Sequence, residues 1–208
     1  MTTFLLIRHA MCDPVGQAIS GRQPGIHLNE TGRRQAAVLA ERLDGVPLTA
    51  LYSSPLERTM ETAQPIGLRQ KLEVRSAPGF NEIEFGEWTG KTLAELEGLP
   101  EWGWFNSYRS GSSIPGGENI PEVLSRVLRE LDRLRALHPE PEAKIAVVSH
   151  GDVLRSLLAQ VLGIPLDLIH RVELSPASIS ILELESHGPR LLLLNSTAEP
   201  SGGFSRSK

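Results

Sequence analysis

Four side chains able to handle an anion stand just past apolar runs of this sequence. Arg8 and His9 follow Phe4-Leu5-Leu6-Ile7, Arg58 follows Leu51-Tyr52-Ser53-Ser54-Pro55, and His150 follows Ile145-Ala146-Val147-Val148-Ser149. Such runs read as buried strands, and ligands of open α/β sheets gather outside the carboxyl ends of the strands. Taken singly, a histidine is more often structural and an arginine a solvated ion-pair partner. Three strand ends carrying the same kind of group argue for an anion site. Arg58 says most. Ser54-Pro55-Leu56-Glu57 has the form of a capping box, which predicts a helix starting there with Arg58 in its first turn. A cation at the positive end of a helix is unfavourable unless an anion sits beside it, and the planar guanidinium suits phosphate.

These groups need a sheet to carry them. The runs TFLLIR, ALYSS, KIAVVSH, ASISILEL and RLLLLN alternate with segments of helical periodicity. That pattern predicts a three-layer α/β sandwich with a mostly parallel central sheet, helices on both faces and an antiparallel hairpin at one edge, formed by the last two runs. Asn29 or Thr31 starts a helix whose Ala36, Ala37, Leu39, Ala40 and Leu43 share a side, and a second helix runs from Ile120 with Val123, Leu124, Val127, Leu128, Leu131 and Leu134. One domain over 1–195 is expected, followed by a frayed polar tail over 196–208. The stretch 97–118, rich in Gly and Pro, reads as a lid loop. Seven of the ten aromatic residues fall between Phe80 and Tyr108, so an aromatic wall or a hydrophobic cluster under a loop is expected there.

Beyond these local readings, the order of motifs resembles that of the histidine phosphatase superfamily, in its phosphoglycerate mutase-like branch. The residues that carry the resemblance are Arg8-His9, Gly21-Arg22, Leu28, Gly32, Tyr52-Ser53-Ser54-Pro55 with Arg58 and Thr62-Ala63, Asn81-Glu82-Ile83, Gly86-Glu87-Trp88 and Gly90. Pro115-Gly116-Gly117-Glu118 and Val147-Val148-Ser149-His150-Gly151 complete it. The resemblance implies a nucleophilic His9, a phosphate clamp of Arg8, Arg58 and His150, and a proton-transferring Glu82, with no cofactor and no metal. Gly21 and Arg22 are weaker substrate-binding candidates. The implied reaction is hydrolysis of a small phosphomonoester through a phosphohistidine. Mutase-type phosphoryl transfer is the alternative, and a non-enzymatic phosphate- or partner-binding module ranks below it.

Other chemistries fit less well. Gly86 and Gly90-Lys91-Thr92 imitate a nucleotide phosphate loop, yet three residues separate the glycines where four are needed. Ala10-Met11-Cys12 departs from the glycine, polar residue and threonine usual after the family's Arg-His pair, and Met11 and Cys12 can reshape the pocket floor. Cys12 fits a phosphatase nucleophile poorly, since the arginine required six residues later is Ala18. A metal site of His9, Asp13, His150 and Asp152 lacks any ligand-spacing motif. The net charge of −4 gives no footprint for nucleic acid, and no apolar run is long enough to span a bilayer. With one cysteine and no leader-like segment, a cytoplasmic location is expected. Oligomeric state stays open, a homodimer included. Arg8 and His9 raise one geometric difficulty: in a continued strand they face opposite sides of the sheet.

Overall fold

The computed structural model describes residues 1–198 of the chain. Six strands form a single sheet in the order β3-β2-β4-β1-β5-β6. They are β1 (Thr2–Arg8), β2 (Ala50–Ser53), β3 (Val74–Ser76), β4 (Ala143–Ser149), β5 (Ile179–Glu185) and β6 (Gly188–Ser196). β1 pairs with β4, β4 with β2 and β2 with β3 in parallel, whereas β5 runs antiparallel to both β1 and β6. The sheet is therefore mixed and mostly parallel, with the expected hairpin at one edge. β3 has no counterpart among the apolar runs, because at three residues, two of them exposed, it leaves almost no hydrophobic signal.

Both faces of the central strands are covered, which is why FLLI and IAVV are continuously apolar instead of alternating. Phe4, Leu6, Tyr52, Ile145 and Val147 pack on one side with residues of α5 (Ile120–Leu137) and α6 (Gly151–Leu162). Leu5, Ile7, Leu51, Ala146 and Val148 pack on the other with α1 (Glu30–Arg42) and α2 (Glu57–Gln70). The side-chain period of two thus divides each strand between two cores. α1 starts at its Asn29 cap, and α5 starts in a complete capping box of Asn119 and Glu122.

The stretch 97–118 is not a plain loop. It contains α4 (Pro100–Ser107), preceded by α3 (Leu93–Glu97), which Thr92 and Glu95 cap reciprocally. Trp88, Trp102 and Phe105 pack against one another with ring centroids 5.3–6.0 Å apart and join the α5/α6-side core. Of the two readings of the aromatic segment, the hydrophobic cluster holds for Phe80, Phe85, Trp88, Trp102 and Phe105, since rings this large gain most from burial, while Trp104 and Tyr108 pack on each other and stay exposed. Ser196 ends β6, so that strand reaches the first residue of the expected tail, and 199–208 lie outside the described residues. Among the described residues no helix is long and apolar enough to cross a membrane.

Two glycines fix close approaches near the strand ends. A Cβ on Gly32 in α1 would stand 2.0 Å from the Met11 carbonyl oxygen, so the helix rests directly on the chain that follows His9. Gly86 has a left-handed backbone, φ +47°, and a Cβ there would stand 2.1 Å from the Pro115 carbonyl oxygen. The glycine that imitates a phosphate loop in the sequence serves instead to join the 80s segment to Pro115-Gly116.

Candidate active site

A cavity of about 160 Å³ opens at the carboxyl ends of the central strands. Arg8, His9, Gly21, Arg58 and Glu82 all line it, as do Cys12, Val15, Ile19, Phe85, Asp152 and Arg155. The difficulty with Arg8 and His9 disappears because β1 stops at Arg8. The His9 N–H still donates to the Ser149 carbonyl at 2.9 Å, but the chain then turns away across the strand ends, and both side chains reach one space.

Each charged group is held by main-chain acceptors. Arg8 Nη1 donates to the Leu174 carbonyl at 2.5 Å, and Arg58 Nη2 donates to the Gly21 carbonyl at 2.8 Å. Arg8 Nε and Arg58 Nη1 are buried and have no protein partner. Unpartnered buried donors of this kind are costly unless a ligand completes them. Two of them belong to arginines that line this one cavity.

His9 is 4% exposed, and its Nδ1 lies 2.8 Å from the Ala10 carbonyl. A carbonyl only accepts, so Nδ1 carries the hydrogen and Nε2 keeps the lone pair. Burial first, then the charge of Arg58, pulls the imidazole pKa down to about 3, so the ring is neutral near physiological pH. His150 is fully buried and is not itself on the cavity wall. Its Nε2 lies 2.8 Å from Ser54 Oγ, its Nδ1 lies 3.4 Å from both Arg58 Nη2 and Glu82 Oε2, and its ring meets that of His9 edge-on at 5.3 Å. Glu82 has an Oε2 3.8 Å from Arg58 Nη2. Burial raises its pKa despite the opposing pull of that arginine.

Several expectations meet different geometry. Ser54 caps no helix: α2 begins at Glu57 after Leu56, and the Ser54 hydroxyl turns inward to Asn81 and His150. Arg58 nevertheless stays in the first helical turn. Arg22 does not line the cavity. Its Nε donates to the Glu82 carbonyl at 2.8 Å and its Nη2 to Glu118 at 2.8 Å. Cys12 is buried on the wall with its thiol pKa raised by burial, and no residue of 97–118 lines the cavity. Among the described residues no cluster of three or more His, Cys, Asp or Glu could hold a metal ion.

Three residues hold this arrangement in place without having been given a role from the sequence, and of these Arg126 was not singled out at all. Glu118 accepts from Arg22, from Arg126 Nε at 2.9 Å and from the Glu84 N–H at 2.9 Å. Arg126 Nη2 then donates to the Glu82 carbonyl at 3.0 Å, so two arginines anchored on one carboxylate hold the main chain that carries Glu82. The third is Asn81, which links Ser54 to the Glu82 main chain. The four-residue steps from Glu118, just before the Asn119 cap, through Glu122 and Arg126 to Glu130 were a usable sign that acid and base line up along the start of α5.

The chain is 32% identical to phosphoserine phosphatase 1 of Hydrogenobacter thermophilus over 206 residues, 95% of this chain and 93% of that protein. It is 33% identical to a probable phosphoglycerate mutase GpmB of Proteus mirabilis over 190 residues, 89% and 86% of the two chains. A mycobacterial glucosyl-3-phosphoglycerate phosphatase solved with VO3 superposes with a TM-score of 0.85 at 28% identity, over 94% of this chain and 99% of that one. The family model of the histidine phosphatase superfamily, branch 1, matches residues 4–197, and the chain belongs to that family.

Proposed function

We propose that this chain hydrolyses phosphomonoesters through a covalent phosphohistidine on His9, with Glu82 as proton donor and acceptor and without a metal. The observation that carries the reading is the state of His9: neutral, with its Nε2 lone pair free, in a cavity where Arg8 Nε and Arg58 Nη1 lack partners. Nε2 attacks phosphorus, the bond to the leaving oxygen breaks, and the Glu82 carboxyl gives that oxygen its proton. Water then attacks phosphorus, Glu82 takes its proton, and the P–N bond breaks to return a neutral imidazole and free phosphate. Charge on the transferring oxygens meets Arg8, Arg58 and the N-terminal N–H groups of α6, with His150 behind them. Two of the relatives named above are phosphatases, which agrees with this reading.

Hydrolysis ranks above mutase-type transfer because the cavity offers little to a second anionic group. Besides Arg8 and Arg58 its wall offers Pro14, Val15, Ala18, Ile19 and Phe85, the neutral Ser20 and the acidic Asp152, and its remaining cation, Arg155, is engaged by Asp152 at 2.8 Å and the Val172 carbonyl at 2.9 Å. The test is phosphate release from p-nitrophenyl phosphate in the presence of a chelator, together with trapping of an acid-labile phosphoenzyme. Both are expected in the native protein, and both vanish in His9→Ala. Turnover surviving in His9→Ala, or abolished by chelator alone, overturns the mechanism.

A further inference from the structure

Asn81 and Ser54 do not line the cavity, yet a chain of hydrogen bonds runs from them to His150 and assigns its protons. The Glu82 N–H lies 2.8 Å from the Asn81 side-chain oxygen. A backbone N–H only donates, so that end of the amide is the oxygen. The same oxygen lies 3.2 Å from Ser54 Oγ. It cannot donate, so the Ser54 hydroxyl gives it the proton and turns its lone pairs to His150 Nε2, 2.8 Å away. Nε2 must then carry the hydrogen of the neutral ring. Nδ1 is left with the lone pair, facing Arg58 Nη2 and Glu82 Oε2 at 3.4 Å each.

What faces a carboxyl group decides which of its forms is favoured. A donor at that position stabilises the carboxylate, and an acceptor stabilises the protonated acid. We propose that Asn81 and Ser54 are positioning residues that lock His150 as its Nε2–H tautomer, so that Nδ1 accepts from Glu82 and keeps it in the acid form needed at the leaving group. No bond other than hydrogen bonds changes. The Glu82 proton rests toward Nδ1 until a leaving oxygen takes it.

The surroundings agree. His150 faces Arg58 of α2, Glu82, the His9 ring and, at longer range, Arg8 of β1 and Arg126 of α5. Burial and these cations hold the imidazole well below its ordinary pKa, so it remains an acceptor. Burial lifts Glu82 in the same setting, with Asp152 adding to the lift, while Arg58, the Ile83 N–H on its other oxygen and Arg126 pull the other way.

This inference rests on the proposed role of Glu82, but the tautomer can be measured without turnover. In protein labelled with ¹⁵N-histidine, ¹H–¹⁵N correlation, assigned by comparison with His150→Gln, is expected to place the His150 hydrogen on Nε2. Asn81→Leu frees the Ser54 hydroxyl to donate to Nε2, which moves the ring hydrogen to Nδ1. Asn81→Asp keeps the acceptor and the native tautomer. With phenyl phosphate as substrate, the basic limb of the kcat profile is expected to fall by about one pH unit or more in Asn81→Leu and not to fall in Asn81→Asp, whose added carboxylate can only push Glu82 further up. Ser54→Ala supplies a second route to the same shift if Asn81→Leu misfolds. A native His150 protonated on Nδ1 overturns the lock, and a shifted tautomer with an unmoved basic limb overturns its effect on Glu82. An inactive native protein overturns the proposed function and with it the effect on Glu82, while the tautomer in the free protein still decides the lock.

Discussion

Lowering the pH from 8 to 5 is expected to cost this fold stability through His9, by an amount set by its burial. An unfolded imidazole titrates near ~6.5, whereas the buried His9 titrates at about 3. Above the unfolded value both states are neutral and His9 costs nothing. Below it the unfolded state binds a proton that the folded state refuses, so stability declines from about pH 6.5 and levels off only near the folded value. At pH 5 the decline spans roughly 1.5 pH units, or about 2 kcal/mol at ~1.4 kcal/mol per unit. His150 acts in the same direction, since burial depresses it too. Glu82 acts in the opposite one, because its raised carboxyl binds a proton first in the folded state. The comparison with His9→Gln isolates the first contribution. Folded His9 is uncharged across this range, so its removal leaves the charges seen by its neighbours unaltered. Urea unfolding at pH 8 and pH 5 is therefore expected to show the native protein losing about 2 kcal/mol more than His9→Gln. Losses that agree within about 0.5 kcal/mol would refute a buried, neutral His9, and with it the free lone pair on which the proposed chemistry depends.

Two further substitutions separate chemistry from positioning. Glu82→Gln is expected to lower kcat on phenyl phosphate by about 10²–10³-fold and on p-nitrophenyl phosphate, a better leaving group, by clearly less; equal losses on both argue against proton donation by Glu82. Glu118→Ala leaves Arg22 and Arg126 without their shared carboxylate. It is expected to cost about 2–3 kcal/mol of stability and to lower kcat while the affinity for inorganic phosphate, measured by calorimetry, stays near the native value; unchanged kcat removes the positioning role.

How far the sequence could be read differs from residue to residue. Arg8, His9, Arg58 and His150 were legible because apolar runs announce buried parallel strands, and groups at the carboxyl ends of such strands share one edge of the sheet. Arg58 was reached through an imperfect step. The helix begins three residues after Ser54, and the hydroxyl assigned to a cap serves His150 instead. Arg58 still falls in the first helical turn, the one feature its reading required of the helix. The lid reading of 97–118 rested on Gly and Pro content, and the same residues are compatible with a helix that has Pro100 at its start and an aromatic side to bury. Arg22 could not be placed, since a Gly-Arg pair in a loop fits a ligand or a main-chain carbonyl equally well.

The harder part to read has a common physical origin. His9 is oriented by the Ala10 carbonyl, Arg8 by that of Leu174, Arg58 by that of Gly21, and Arg22 and Arg126 meet at that of Glu82. Every residue carries a carbonyl, so these acceptors leave no trace in residue type. They become specific only where the chain must bend to present them. Gly21 is such a place: its φ of +49° lies in the left-handed region, and a Cβ there would come to 3.0 Å from Thr89. The glycine aims a carbonyl at Arg58, so its substitution reaches the arginine through the backbone. Side chains that bear charge are thus legible by type, and the directions in which they point are set by a backbone whose signal is confined to a few glycines.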